Sequence, residues 1–241
     1  MNWIFPIAGK GSRVKSLGSF KPFIKIKNKT IIEYFLYNLK KKIKKNDKLH
    51  FITTHEYEKK YKVELVIKKI LRKIKCPCKV NNTIIKGTTN GPGITVHRVL
   101  TKLKNNEPCI IINPDQVVDF YLPKKINSNK VYIPIHFNTH GKSSYVDINR
   151  KGKIIRILEK KLITYYASSG VYIFGSVKNL KKIYKKYNFK KSKSEVNLSN
   201  IINNYLKYNK KNVEPLETFF KYDLGNIASL KYFENIIESK N

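Results

Sequence analysis

The sequence predicts an α/β fold, a central and mostly parallel mixed sheet flanked by helices, and three observations carry that expectation. Apolar runs alternate with helix-patterned segments through the first half, the signature of strands joined by covering helices. Residues 108–112 (PCIII) are an uninterrupted apolar run, as a central parallel strand buried on both faces requires. A glycine-bearing loop follows the first strand, at the end of the sheet where open α/β folds present ligands.

Each element has its own signal. Residues 2–8 (NWIFPIA) read as a short buried strand, and 9–22 as a long loop rich in Gly, Ser and Lys. Thr30 is the expected N-cap of a helix in which Ile31, Ile32, Phe35, Leu36, Leu39 and Ile43 recur at helical spacing, with lysines opposite. A strand is expected at 49–54, a helix at about 56–74 and a third strand near 78–85. The glycine-rich stretch 87–93 then leads to a helix over 94–103, and the run 108–112 ends at Asn113-Pro114-Asp115. In the second half, strand-like runs at about 131–137, 143–148, 153–160 and 165–174 are separated by turn signals such as His140-Gly141 and Lys151-Gly152, which predicts antiparallel pairing. Helices are expected near 176–187 and 198–208. A short strand at about 218–222 leads to Asp223-Leu224-Gly225 and a closing helix. No linker interrupts the chain, and the absence of hexapeptide repeats excludes an appended β-helix, so one domain over 1–241 is expected.

Charge is the most conspicuous feature of the composition. The 241 residues hold 50 Lys and Arg against 16 Asp and Glu, a formal net charge of +34. Five of the 50 are arginine (Arg13, Arg72, Arg98, Arg150, Arg156), which leaves 45 lysines. Arginine is the usual reader of base edges and bidentate clamp of phosphates, so this balance reads as lysine filling solvated positions rather than as a nucleic-acid surface. With 41% hydrophobic residues the charge sits on a folded protein. Residues 1–8 lack the basic start and cleavage site of a signal peptide, and no apolar run approaches a membrane span; a cytoplasmic protein without membrane partners is expected. Cys76, Cys78 and Cys109 lack zinc spacing and read as reduced thiols, and the five histidines form no metal or acid–base pattern.

The most informative segment is Ile7-Ala8-Gly9-Lys10-Gly11-Ser12-Arg13. Two glycines one residue apart let backbone N–H groups turn toward an anion, and the cation after them can hold charge on a polyphosphate. The spacing is not a Walker loop, which needs GxxxxGK[ST]. It is not the dinucleotide fingerprint either, because Val14 stands where the third Gly would be and the first acidic residue past the second strand is Glu56.

This loop, followed by Lys21-Pro22 and an amphipathic helix, resembles the signature of the sugar-phosphate nucleotidyltransferases, the sugar-nucleotide pyrophosphorylases of the Rossmann-like GT-A-type fold. Further pieces of the resemblance follow in order: Asp115 after the buried strand, Glu159-Lys160, Ser168-Ser169-Gly170-Val171-Tyr172-Ile173-Phe174, and Asp223-Leu224-Gly225. The resemblance implies transfer of a nucleotide from an NTP to a sugar 1-phosphate or related phosphate, with Mg²⁺ held by Asp115 and Asp223. It implies a nucleotide-binding half over about 1–118, with Ala8, Gly9, Gly11, Ser12, Arg13, Lys21, Thr88, Thr89 and Gly91 at the nucleotide. Arg13 would hold the β,γ-phosphates and Lys21 the α-phosphate. In the acceptor half, about 119–241, it implies Glu159, Lys160, Ser169, Gly170 and Glu195 at the acceptor; Glu195 reads equally as a helix-capping carboxylate. Phe20 replaces a common Pro and Asn226 a common Thr, so the base and the acceptor stay open. A cytidylyltransferase acting on a non-sugar phosphate, a GT-A glycosyltransferase and a non-catalytic nucleotide binder are the alternatives. A homo-oligomer is compatible with the sequence, and nucleic acid is not an expected partner.

Overall fold

A computed structural model describes residues 1–9, 11, 16–17, 20–76, 78–191, 195–209 and 212–239. The chain begins with β1 (Asn2–Pro6). Beyond the glycine loop, a 3₁₀ turn at Lys21–Phe23 leads into a hairpin of two-residue strands, β2 (Lys25–Ile26) and β3 (Lys29–Thr30). Helix α1 (Ile31–Leu39) starts with a capping box: Thr30 Oγ accepts from Glu33 N, and the Glu33 carboxylate accepts from Thr30 N. Strand β4 (Lys48–Thr54) is followed by α2 (His55–Tyr61), α3 (Val63–Lys73) and β5 (Lys79–Ile85). The expected helix over 56–74 is therefore two helices, broken where Lys62 adopts the left-handed conformation at φ 47°.

Helix α4 (Pro92–His97) has Pro at its first turn and stops short of the expected 103; Leu100–Lys102 is only a 3₁₀ turn. Strand β6 (Cys109–Ile112) is wholly buried, as the apolar run requires. Strand β7 (Gln116–Phe120) has no counterpart in the sequence-based expectation. The second half contains β8 (Val131–Phe137), β9 (Ser144–Ile148), β10 (Ile154–Glu159), β11 (Tyr166–Ser168), β12 (Val171–Phe174), α5 (Val177–Lys185), α6 (Leu198–Leu206), β13 (Val213–Asp223) and α7 (Ile227–Glu238). The expected run 165–174 divides at Ser169-Gly170, and the expected short strand 218–222 is instead the eleven-residue β13.

Eleven strands form one sheet along the path β10-β9-β11-β8-β12-β6-β1-β4-β5, with β13 joining β8 to β7. Strands β6, β1, β4 and β5 are parallel, whereas β12 enters antiparallel to β6, pairing Val171 with Ile112. Alternate residues go to opposite faces. Ile4 and Ile111 pack with α4, α5 and α6, while Trp3, Phe5, Ile110 and Ile112 pack with α1 and α3. A smaller cluster of Val117, Leu224, Leu230 and Phe233 fastens the β7–β13 ribbon to α7. The parallel strands β1, β4 and β6 end together, and the chain reversals beyond them carry Gly9, His55 and Asn113 to one edge of the molecule. Among the described residues, no helix is long and apolar enough to cross a membrane.

Candidate active site

At that edge lies a cleft of about 660 Å³. Its floor is the loop after β1 (Ile7, Gly9, Gly11) and the segment after β6 (Asn113, Pro114, Asp115). One wall is the glycine stretch with Thr88, Thr89, Asn90 and Gly91, and the facing segment before α6 contributes Glu195 and Asn197. Two glycines make that wall possible. Gly91 has φ +107°, and a Cβ there would fall 2.4 Å from the Val196 carbonyl oxygen. At Gly93 a Cβ would stand 2.8 Å from the same oxygen, at the place where Gly93 N donates to Val196 O at 2.9 Å and Val196 N donates to Asn90 O at 2.9 Å. Thr95 and Thr89 close the turn, with their hydroxyls 2.5 Å apart.

Lys21 reaches the centre of this site. Its ammonium donates to Asp115 Oδ2 at 2.6 Å and to Gly225 O at 3.3 Å, with its side chain 14% exposed. The backbone beneath it is fixed by aromatic packing. Phe20 is buried and its ring lies 5.2 Å from Tyr61, 4.6 Å from Tyr57 and 4.9 Å from Phe23. The departure at Phe20 thus supplies an aromatic anchor for the Lys21-Pro22 turn. The break at Lys62 ends α2 at Tyr61, one of the rings of that anchor.

Asp223 comes to Asp115 through the β7–β13 ribbon. Asp223 pairs with Gln116, and Leu224 N donates to Asp115 O at 2.8 Å. Asp223 Oδ1 accepts from Gly225 N at 2.8 Å, while Asn226 caps α7 by accepting from Ser229 N, so Asp223 is not that helix's cap. A Cβ at Gly225 would stand 2.7 Å from Asp223 Oδ1, so the return of that carboxylate onto Gly225 N needs glycine. The donors are hard carboxylate oxygens at neighbouring strand ends. They fit Mg²⁺, which takes one or two carboxylates and completes its shell with water and phosphate oxygens. Among the described residues no group of three or more His, Cys, Asp or Glu forms a fuller metal cage.

The remaining expected residues are distributed unevenly. Ala8 is buried between two lining residues, and Ser12 and Arg13 lie outside the described residues. Glu195 lines the cleft, whereas the turn into α6 is closed by Asn197 N donating to Asn200 Oδ1 at 2.8 Å. Glu159 does not line it. Its Oε2 accepts from Ser144 Oγ at 2.5 Å and from Ser199 Oγ at 2.8 Å, two residues past the lining Asn197. Lys160 is exposed at φ 52° and is also absent from the lining. Gly170 has φ +73° and its Cα faces the Gln116 amide, which a Cβ would meet at 2.9 Å. The amide nitrogen of Gln116 is buried with no hydrogen-bond partner among the described residues. Ser169 Oγ lies 3.2 Å from His136 Nδ1 and 2.5 Å from Thr218 Oγ1.

Sequence reasoning missed Lys221. It sits two residues before Asp223 on β13, where burial pushes its ammonium pKa down and Asp223 and Asp115 pull it back. His136 nearby is pushed down to about 4, first by burial and then by Lys221. Lysine is so frequent here that no residue-level signal separated Lys221 from the rest. Asn113, Asn197 and Gln116 were likewise not singled out.

A family model described as Nucleotidyl transferase matches residues 7–240. The chain belongs to the nucleotidyl transferase family. Solved structures agree on the fold. A nucleoside-diphosphate-sugar pyrophosphorylase from Vibrio cholerae superposes with a TM-score of 0.80 at 15% identity, covering 97% of this chain and 99% of that one. A UDP-glucose pyrophosphorylase complexed with UDP-glucose gives 0.75 at 16% identity, over 100% and 99%. An inositol-1-phosphate CTP transferase from T. maritima gives 0.73 at 15% identity, over 98% and 94%. Comparison with curated proteins finds no significant match. The expected Rossmann-like nucleotidyltransferase fold is thus observed, and the enzyme class is nucleotidyltransferase.

Proposed function

We propose that the protein transfers a nucleoside monophosphate from an NTP to a sugar 1-phosphate or a related small phosphate, with Mg²⁺, releasing pyrophosphate and yielding an activated nucleotide sugar for glycan synthesis. The observation that carries this reading is the convergence of Lys21, Asp115 and the Asp223-Leu224-Gly225 turn at the ends of the parallel strands, beside a wall built from glycine.

An oxygen of the acceptor phosphate attacks the α-phosphorus in line. The bond from that phosphorus to the α,β-bridging oxygen breaks, and its electron pair leaves on pyrophosphate. Two polyanions must meet, so positioning and charge compensation are the main tasks of the protein. Mg²⁺ held by Asp115 and Asp223 would offset charge on the phosphate oxygens. Lys21 would turn from Asp115 to the α-phosphate, and Gly9 and Gly11 would let the loop backbone approach the phosphates closely. Arg13 is assigned to the departing pyrophosphate by resemblance. Thr88, Thr89 and Gly91 would face the nucleoside. Glu195, which lines the cleft, would address the acceptor; Ser169, Gly170, Glu159 and Lys160 lie outside the lining and are assigned to the acceptor by resemblance alone. Lys221 is a candidate cation for the acceptor phosphate.

The test is a pyrophosphate-release screen of the common NTPs and dTTP against sugar and non-sugar phosphates with Mg²⁺. Turnover with a sugar 1-phosphate supports the reading. Turnover confined to CTP and an alcohol or amine phosphate assigns the cytidylyltransferase alternative, and no release with any pair refutes both.

A further inference from the structure

A second concavity, of about 450 Å³, lies away from the strand ends, between α1, the β2–β3 hairpin and the end of α3. Five of its eight lining residues are lysines: Lys29, Lys40, Lys41, Lys73 and Lys75. With 45 lysines in 241 residues, eight residues taken at random would include fewer than two, so the bias exceeds the composition. The reaction cleft, by contrast, has Lys21 as the one lysine of its described lining.

The positive charge of the groove is weakly opposed. Its one acidic residue, Glu33, already accepts from Thr30 N at 2.7 Å and Thr30 Oγ at 3.0 Å, with Lys73 Nζ 3.6 Å from its other oxygen. The lining therefore carries a formal 5 − 1 = +4. Two of the ammonium groups are held in place. Lys29 and Lys40 lie over the Tyr37 ring at 5.2 and 4.6 Å, and Lys40 Nζ also donates to Ile74 O at 3.4 Å. The carbonyl end of α3 is closed by bonds from Lys75 N to Arg72 O and Cys76 N to Leu71 O, which satisfies acceptors that would repel an anion.

We propose that this groove is a second anion site, which takes a condensed phosphate of small-molecule size, free or as the polyphosphate tail of a nucleotide. Its volume falls within the range of small-ligand pockets. Several lysine point charges at neighbouring positions can each pair with one of the adjacent groups of a condensed phosphate, and a single carboxylate or orthophosphate would engage only part of them. The two ammonium groups over Tyr37 occupy the ring against which a nucleic-acid base would stack, so a single-stranded polymer is the poorer fit.

The site is independent of the proposed reaction, and calorimetric titration with tripolyphosphate, without divalent metal at about 0.15 M salt, tests it. Four proteins are compared: wild type, the groove variant K41Q/K73Q/K75Q, the surface control K182Q/K185Q/K207Q, and K21Q. The groove variant should bind about tenfold or more weakly, and the surface control, with the same loss of net charge, within about twofold of wild type. K21Q should retain the groove binding, and orthophosphate should bind far more weakly than tripolyphosphate. Equal weakening by the two triple variants, or no wild-type binding, overturns the proposal. Loss in K21Q with the groove variant unaffected also overturns it, by moving the anion to the reaction cleft while sparing the proposed function. Parallel titrations of wild type and the groove variant with ATP and CTP separate the two sources: a groove-dependent affinity no tighter than that of tripolyphosphate assigns the free anion, and tighter nucleotide binding that is lost in the groove variant assigns the tail. Tighter binding of a single-stranded oligonucleotide overturns the proposal in favour of nucleic acid.

Discussion

The strand-end cleft proposed for the reaction and the lysine groove are both concave, yet they handle charge in opposite ways. In the cleft, Lys21 is fixed by Asp115 and the Gly225 carbonyl, and glycines at 91, 93 and 225 let the Val196 backbone and the Asp223 carboxylate approach closely. In the groove, five lysines face one carboxylate that is already engaged. Chemistry at a chosen phosphorus requires charges whose positions are determined by counter-charges, whereas simple retention of an anion does not. A net charge of +34 is thus a poor guide to the reactive site.

The contrast can be broken from either side. The largest effect is expected for Asp115→Ala, which should lower NTP–pyrophosphate exchange by about 10³-fold or more while tripolyphosphate still binds the groove. Exchange at the wild-type rate would remove the metal assignment. Gly91→Ala should come next, because it strains the backbone at φ +107° and drives a methyl group into the Val196 carbonyl. A loss of about 2–4 kcal/mol in urea unfolding is expected, together with a raised KM. An unchanged midpoint would show that the wall can relax.

A smaller effect is expected from pH, through two histidines that line neither concavity. His50 and His136 are both held down at about 4, chiefly by burial, against an ordinary value of 6.5. Each binds fewer protons in the folded chain than in the unfolded chain between those values. Their stabilising contribution is therefore complete above about pH 6.5 and is lost as pH falls through about 4, together roughly 2–3 kcal/mol after allowance for partial exposure. Unfolding free energies measured across that window should decline, and less steeply in His50→Gln. The smallest effect is expected for Thr30→Ala, which removes the cap of the helix that carries Glu33 and Tyr37 and ends at Lys40. It should cost about 1 kcal/mol and alter tripolyphosphate affinity more than exchange. The reverse order would indicate that α1 serves the cleft first.

Much of the cleft was legible because its signals are local. Gly9, Gly11 and Asp115 each stand beside a strand end that the apolar pattern marks, Lys21 stands before Pro22 in the loop motif, and Thr30 announces its helix through Glu33 three residues later. The parts that were not legible depend on distant partners. Residues 116–120 (QVVDF) form β7 because β13 pairs with them from about a hundred residues away, and no alternation within five residues declares that. The break at Lys62 lacks a glycine to announce it. Helix α4 ends early where the 94–103 pattern would continue, and its glycines are tied to Val196, far along the chain. Lys160 and Glu159 matched a motif, yet a motif does not specify side-chain direction, and the observed Glu159 is occupied by two serines.

Strand β13 runs parallel to β8 over Val213–Glu217 and, beyond an irregularity between Thr218 and Phe220, antiparallel to β7 as far as Asp223. Synthesis from the ribosome therefore delivers the two carboxylates at very different times. Asp115 emerges about a hundred residues before Asp223, which arrives only with β13. A nascent chain can complete β1, β4 and β6 long before it can bring Asp223 beside Asp115. This non-local closure places the assembly of the candidate site late in folding, after slow pairing across the sheet. A chain stopped before residue 213 is expected to form much of the parallel core and to have no exchange activity.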